Sequence, residues 1–293
     1  MRPALHRYAL AALIAGLIVL APQTATAVVN LPWSTTYNCP DWKQSDGLYP
    51  PAINCDGLTG YGAWTTTDGR EEQIGAAANY PSGAGGKGQR HWLGDPAANN
   101  SGGTKIEWIS PQPEIWIRWY MRFQNGFEWN PQLGEYKILY VDVGTARHVI
   151  IGFRPNNDRL GIVVNGNPFD SPDGSGWNTI MANGGTDARG NKTSDGLWHL
   201  YEIHMKMDTN GADGIVEWWV DGARRLYRTD VNFRTHSGWS YMAIGENHAW
   251  SGNGPAAFYV DYDDIAIRTT GPIGPVGPAD TLAPAAPSNL TVQ

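Results

Sequence analysis

The sequence predicts an all-β protein, a two-sheet antiparallel β-sandwich, on three observations. Apolar and polar residues alternate at period two over several separate runs, turns rich in Gly, Asn, Asp and Pro bound those runs, and no stretch of ten or more residues carries the periodicity of an amphipathic helix. The composition agrees. Among 293 residues there are 36 Gly, 20 Pro and 14 Trp against 6 Phe, which means many turns and a large stock of flat amphipathic rings. Such a chain suits neither a helical bundle nor a doubly wound nucleotide-binding enzyme. Its net charge of -7 gives no general attraction to nucleic acid, so no nucleic-acid partner is expected.

The elements follow in chain order. Met1 to Arg7 holds Arg2 and Arg7 and no acid, Tyr8 to Pro22 is apolar, and Ala25-Thr26-Ala27 has the small-x-small form of a cleavage site. Residues 1–27 therefore read as a secretory signal peptide, because the apolar run is shorter than the roughly 20 residues a spanning helix needs. No later stretch is apolar enough to cross a bilayer, so the protein is expected to be secreted, extracellular or periplasmic, with no membrane partner. Cys39 and Cys55 are the only cysteines, and in an exporting compartment they are expected to form a disulfide. Closing a loop of that size is worth up to about 3 kcal/mol, and it pins a segment rich in Pro and Gly.

The domain itself is expected to run from 28 to 268. Its clearest strand is 115–124, where Ile115, Ile117, Trp119, Met121 and Phe123 alternate with Trp116, Arg118, Tyr120 and Arg122. Similar alternation marks 137–143, 148–154, 198–207 and 215–221, and 258–267 closes the set. Gln89, Arg90 and His91 follow a run of glycines and read as a functional Gly-rich loop. From Thr269 the chain changes character. Gly271-Pro272-Ile273-Gly274-Pro275 begins a Gly/Pro linker over 269–293 that ends in what resembles the start of a fibronectin III-like module, missing from this chain.

Trp198-His199-Leu200-Tyr201-Glu202-Ile203-His204, a Gly/Asp turn, and Ile215-Val216-Glu217-Trp218-Trp219-Val220-Asp221-Gly222 resemble paired strands of the concanavalin A-like lectin/glucanase superfamily. Tyr262-Asp263-Asp264-Ile265-Ala266-Ile267 resembles the closing strand of jelly-roll polysaccharide lyases of the heparin lyase I and glucuronan lyase kind. The resemblance spans roughly residues 100 to 268. It implies a jelly roll whose concave sheet forms a groove for a polysaccharide, and a structural calcium, for which Asp264, with the region of Asp41, is the candidate ligand.

Eliminative cleavage of a uronic-acid polymer needs a cation or amide on the carboxylate, a base for the C5 proton and an acid for the leaving oxygen. The candidates for catalysis are Tyr120, His204, Arg118, Gln89 and His91. Arg118, Tyr120 and Arg122 recur every second residue, about 7 Å apart along one strand, and suit an anionic sugar. Arg90, Trp116, Arg122, Tyr140, Lys206 and Trp219 are the candidates for substrate binding, the rings by stacking. His199 falls in the apolar register and reads as a packed histidine. The expected partner is an acidic polysaccharide, the expected assembly a monomer, and no catalytic cofactor is implied: there is no His-x-x-x-His pair and no phosphate-binding Gly-rich loop.

Two alternatives remain. A glycoside hydrolase on the same fold would carry the Glu-x-Asp-x-x-Glu strand of the glucanases, which is absent, leaving Glu202 and Glu217 as the carboxylates to consider. A carbohydrate-binding protein without catalysis would use the many Trp and Tyr rings alone. The Gln-(Ile/Val)-His motif of the common alginate lyase family is also absent.

Overall fold

The computed structural model describes residues 28–37, 42–43, 62–64, 71–74, 80, 86–93, 103–125, 136–143, 148–154, 159–164, 167–168, 196–244 and 258–276. Residues 1–27, read above as a signal peptide, Cys39 and Cys55 with their expected disulfide, Asp41, and residues 277–293 lie outside the described residues. The strands, in chain order, are β1 (Val28–Val29), β2 (Trp33–Thr35), β3 (Trp42–Lys43), β4 (Gly62–Trp64), β5 (Glu71–Ile74), β6 (Gly88–Leu93), β7 (Gly103–Gln112), β8 (Glu114–Phe123) and β9 (Tyr136–Asp142). They continue with β10 (His148–Arg154), β11 (Arg159–Val164), β12 (Asn167–Pro168), β13 (His199–Lys206), β14 (Gly214–Val220), β15 (Ala223–Val231), β16 (Trp239–Ile244) and β17 (Phe258–Arg268). There is no helix among the described residues.

The strands form two sheets. The first is eight-stranded in the order β1-β7-β16-β9-β10-β11-β12, with β4 also on β7; the second is nine-stranded in the order β15-β14-β13-β8-β17-β6-β5-β3, with β2 also on β17. All pairings are antiparallel except the short β1–β7 contact. Alternation decides which residues meet between the sheets. Ile106, Trp108, Leu139, Val141, Met242 and Ile244 of the first sheet join Ile115, Ile117, Trp119, Met121, Tyr201, Ile203 and Trp218 of the second in one apolar cluster, each no more than 3% exposed.

The alternating runs become strands where expected: β8, β9, β10, β13, β14 and β17 each lie within two residues of the predicted limits. Two expectations are corrected. Residues 88–93 are not a loop but a strand, β6, held between β5 and β17, because the glycines end at Gly88 and the next five residues can pair on both edges. Residues 271–276 are not a free linker but lie against the second sheet. In β17 the alternation is reset by a bulge between Asp263 and Ala266, where Asp264 takes a φ of 47°. The extra residue leaves Asp261, Asp263 and Ala266 on the outer face and Tyr262, Ile265 and Ile267 in the core.

Candidate functional site

The outer face of the second sheet collects most of the residues singled out in the sequence, in four rungs set by register. In the first, His204 stands opposite Trp116 and Glu217. The Trp116 ring stacks on His204 at 4.0 Å between centroids and on Trp219 at 5.5 Å. In the second, Arg118 stands opposite Glu202. In the third, Tyr120 stands opposite Asp263 and stacks on Tyr80 at 3.8 Å, while the Tyr80 N–H donates to Asp263 Oδ2 at 2.8 Å. In the fourth, Asp261 accepts from Arg90 Nε at 2.7 Å and from Arg122 Nε at 3.1 Å. Arg90 lies over the Tyr259 ring and Arg122 over the Trp198 ring.

This face is covered. The segment 271–276 runs along β8 from Trp116 to Tyr120. The Ile273 and Gly274 N–H groups donate to Glu202 Oε1 and Oε2 at 2.6 and 2.9 Å, Arg118 donates to the Gly274 carbonyl at 3.2 Å, and the Val276 N–H donates to the Tyr120 hydroxyl at 3.1 Å. Ile273 packs with Trp116, Ala266 and Trp219 in a small apolar cluster of its own. Trp116, Arg118, Tyr120, Glu202 and His204 are all buried in consequence. Burial pushes the Tyr120 phenol and the Glu202 carboxyl up from their ordinary values, against the opposing pull of the backbone N–H groups they accept from. It pushes Asp263 up to about 9, with the neighbouring Asp264 adding to the shift.

The register also separates the predicted catalytic groups. Tyr120 stands opposite Leu200 and His204 opposite Trp116, an offset of four residues or about 13 Å along the strands, too far to serve one sugar position. His204 is held at both ring nitrogens, Nδ1 by Glu217 at 2.7 Å and Nε2 by Glu114 at 2.8 Å, which leaves neither for a C5 proton. Lys206 is exposed at the end of β13. Gln89 is fully buried opposite Tyr262, in the core register and away from Arg118 and Tyr120. His91 stands opposite Val260 in the ladder, and its side chain lies outside the described part of the molecule. Tyr140 is on the first sheet, on the other side of the sandwich. His199 is buried and bonds Asp221 at 2.7 Å through Nδ1. Asp263 and Asp264 are turned to their own surroundings, the Asp264 N–H donating to Asp263 Oδ1 at 2.7 Å, and no group of three or more His, Cys, Asp or Glu among the described residues is arranged to hold a metal.

The outer face of the first sheet offers a different set. Its inner partners Ile106, Trp108, Leu139, Val141 and Met242 are in the core, so Glu107, Tyr140, Asp142, Tyr241 and Ala243 face outward. Tyr241 stands between Glu107 of β7 and Asp142 of β9, and the same ladder continues from Asp142 to His148 of β10. The Tyr241 hydroxyl donates to Asp142 Oδ2 at 3.2 Å, and Asp142 Oδ1 accepts from the Val143 N–H. One rung on, Ala243 stands between Lys105 and Tyr140. Glu107, Tyr140 and Tyr241 are partly exposed here, whereas Trp116, Arg118, Tyr120, Glu202 and His204 at the centre of the second sheet are buried. In backbone register Tyr241, Asp142 and His148 thus share one rung and Lys105 stands on the next, the side chains of His148 and Lys105 lying outside the described part of the molecule. Sequence reasoning found only Tyr140 of this group. The signal available was Tyr241-Met242-Ala243-Ile244, short but alternating, whose partners lie about a hundred residues upstream.

No protein-family model matches the sequence, and no curated protein matches it. Solved structures do match. The alginate lyase Aly36B superposes with a TM-score of 0.53 at 14% identity, over 82% of this chain and 98% of that one. A mutant of that lyase in complex with alginate trisaccharide gives 0.52 at 13% identity, over 84% and 100%. The cellulose induced protein Cip1 gives 0.50 at 15% identity, over 81% and 97%. The fold is a two-sheet jelly roll, shared with these structures. Among the described residues, the segment 271–276 covers the centre of the second sheet's outer face, and Glu107, Tyr140 and Tyr241 are partly exposed on the first. The described residues include no helix long and apolar enough to cross a membrane.

Proposed function

We propose that the protein is a secreted polysaccharide lyase that cleaves an acidic, uronic-acid-containing polysaccharide by β-elimination on the outer face of the first sheet. What carries the reading is the Tyr241–Asp142 pair, a phenol oriented by a buried carboxylate on a partly exposed strand face. In elimination the C5 proton leaves to a base, its electron pair becomes the C4–C5 double bond, and the C4–O bond breaks as the departing oxygen takes a proton. Tyr241 is the group assigned to the leaving oxygen: its hydroxyl proton, donated to Asp142 before substrate binds, turns to the departing oxygen as the C4–O bond breaks, and Asp142 positions the phenol. His148, next in the ladder, is the candidate base, and Lys105, one rung on, is the candidate cation for the sugar carboxylate. The alginate oligosaccharide complex of a protein with the same fold supports a polysaccharide as the partner.

A second reading, hydrolysis, is favoured by one observation: Glu107 and Asp142 flank Tyr241 two strands apart, about 10 Å in backbone, near the spacing of an inverting carboxyl pair. Against it, both Asp142 oxygens already accept hydrogen bonds. The test is incubation of the mature protein with glucuronan, alginate, pectate and heparin-type polymers. A rise in ultraviolet absorbance from unsaturated uronate ends supports the lyase; new reducing ends without that absorbance support the hydrolase and sink the elimination.

A further inference from the structure

Two preferences of strand chemistry are broken at neighbouring rungs of the sheet that carries Tyr241. Gly152 of β10 stands opposite Gly161 of β11, and Arg154 stands opposite Arg159. Glycine weakens a strand interior, and like charges directly opposite one another destabilise a ladder. β10 pairs with β11 residue for residue from Val149 to Arg154, so the register shift between Ile151 and Gly152 belongs to the pairing with β9 and does not account for Gly161. Val149 and Ile151 stand opposite Val141 and Leu139 of the core, which assigns His148, Ile150, Gly152 and Arg154 to the outer face, the face of Tyr241 and Asp142. Departures from local preference gathered on a working face are expected where a ligand lies.

We infer that Gly152, Gly161, Arg154 and Arg159 form a distal subsite that holds a carboxylate-bearing sugar unit of the polymer away from the bond that breaks. The four are placed by backbone register, the side chains of Arg154 and Arg159 lying outside the described part of the molecule. Paired glycines make a floor without Cβ atoms, on which a sugar ring can approach the backbone closely. Two guanidinium-bearing residues at one register position suit a carboxylate, which accepts planar paired hydrogen bonds and offsets the repulsion between like charges. Arg154 is six residues along β10 from His148, about 20 Å, so the unit held here is not the reacting one. The subsite rests on the reading that an acidic polysaccharide is cleaved at the Tyr241 rung, and it makes the protein favour long chains over short ones. Binding at a distance from the reacting unit lowers KM and leaves kcat little changed.

Affinity electrophoresis of the mature Tyr241→Phe protein, which leaves the polymer intact, through gels containing glucuronan, alginate, pectate or heparin tests the subsite. The expected result is retention by at least one polymer, with a dissociation constant raised at least about tenfold by Arg154→Gln/Arg159→Gln and largely restored by Arg154→Lys/Arg159→Lys. Gly161→Val, which fills the floor without altering a charge, is expected to weaken retention likewise, with circular dichroism reporting the fold of each protein. Retention by none of the four polymers, or retention that both changes leave unaltered, overturns the subsite. A second comparison keeps both arginines: an octasaccharide of the retained polymer is expected to bind the Tyr241→Phe protein at least about tenfold more tightly than a disaccharide, and equal affinities overturn the subsite. Retention that depends on Arg154 and Arg159 in a protein whose wild type forms no unsaturated uronate keeps the subsite and removes the lyase. Unsaturated uronate formed with the same KM by the wild type and by Arg154→Gln/Arg159→Gln does the reverse.

Discussion

Asp263 shows how the covered face ties charge to stability. Its carboxyl, fully buried beside Asp264, is pushed up from 3.8 to about 9, so the folded protein binds this proton more tightly than the unfolded chain does. Between those two values the unfolded state holds fewer protons, and stability falls as pH rises. The melting temperature of the wild type is therefore expected to fall from about pH 4 to about pH 9 more steeply than that of Asp263→Asn, which cannot ionise. Equal slopes for the two proteins would sink this account of the residue. The pairing of Asp263 with the Tyr80 N–H was invisible in the sequence, because it joins residues 183 apart through a strand neighbour that periodicity does not name. By contrast, the outward set Trp116, Arg118, Tyr120 and Arg122 could be read at once, since a side-chain period of two fixes the face of every residue once one is known to be inside. What alternation could not supply was the offset between strands, and that offset parts Tyr120 from His204.

At the scale of elements, the segment 271–276 behaves as a strap across four strands' worth of polar side chains. Composition marked it as a stiff linker, and stiffness is what lets it lie on Trp116 and Glu202 with little entropy to lose. Gly271 is required by close approach: a Cβ there would run into the Trp116 indole. Gly271→Ala is therefore expected to lift the strap, and hydrogen exchange at the Ile273, Gly274 and Val276 amides should speed up at least about tenfold. Unchanged exchange would mean that the contact with Trp116 does not anchor the segment. The β6 strand was hidden for the opposite reason. Its glycine-rich approach looks like a loop, and only the availability of β5 and β17 on either side makes it a strand. β16, with Tyr241, was too short and too far from its partners to be picked out, although its own alternation is regular.

Over the whole molecule, both sheets depend on one core. Ile117, in the centre of β8 between β13 and β17, is fully buried, and Ile117→Ala is expected to cost about 2–5 kcal/mol in urea unfolding through lost transfer energy and the cavity left behind. A cost below about 1 kcal/mol would mean that the two sheets do not share this layer as closely as the burial indicates. The sandwich class followed from periodicity, but the choice of working face did not, because either outer face of a sandwich can carry polar and aromatic side chains. The segment over Trp116, Arg118 and Tyr120, together with the partly exposed Tyr241, is what favours the first sheet in the reading proposed above. The most direct measurement compares the rate of unsaturated-uronate formation by Tyr241→Phe and by Tyr120→Phe on whichever polymer the wild type cleaves, with circular dichroism confirming the fold of each. The reacting rung on the first sheet predicts a loss of at least about a hundredfold for Tyr241→Phe and little change for Tyr120→Phe; full activity in Tyr241→Phe with loss in Tyr120→Phe would contradict it and place the chemistry beneath the strap.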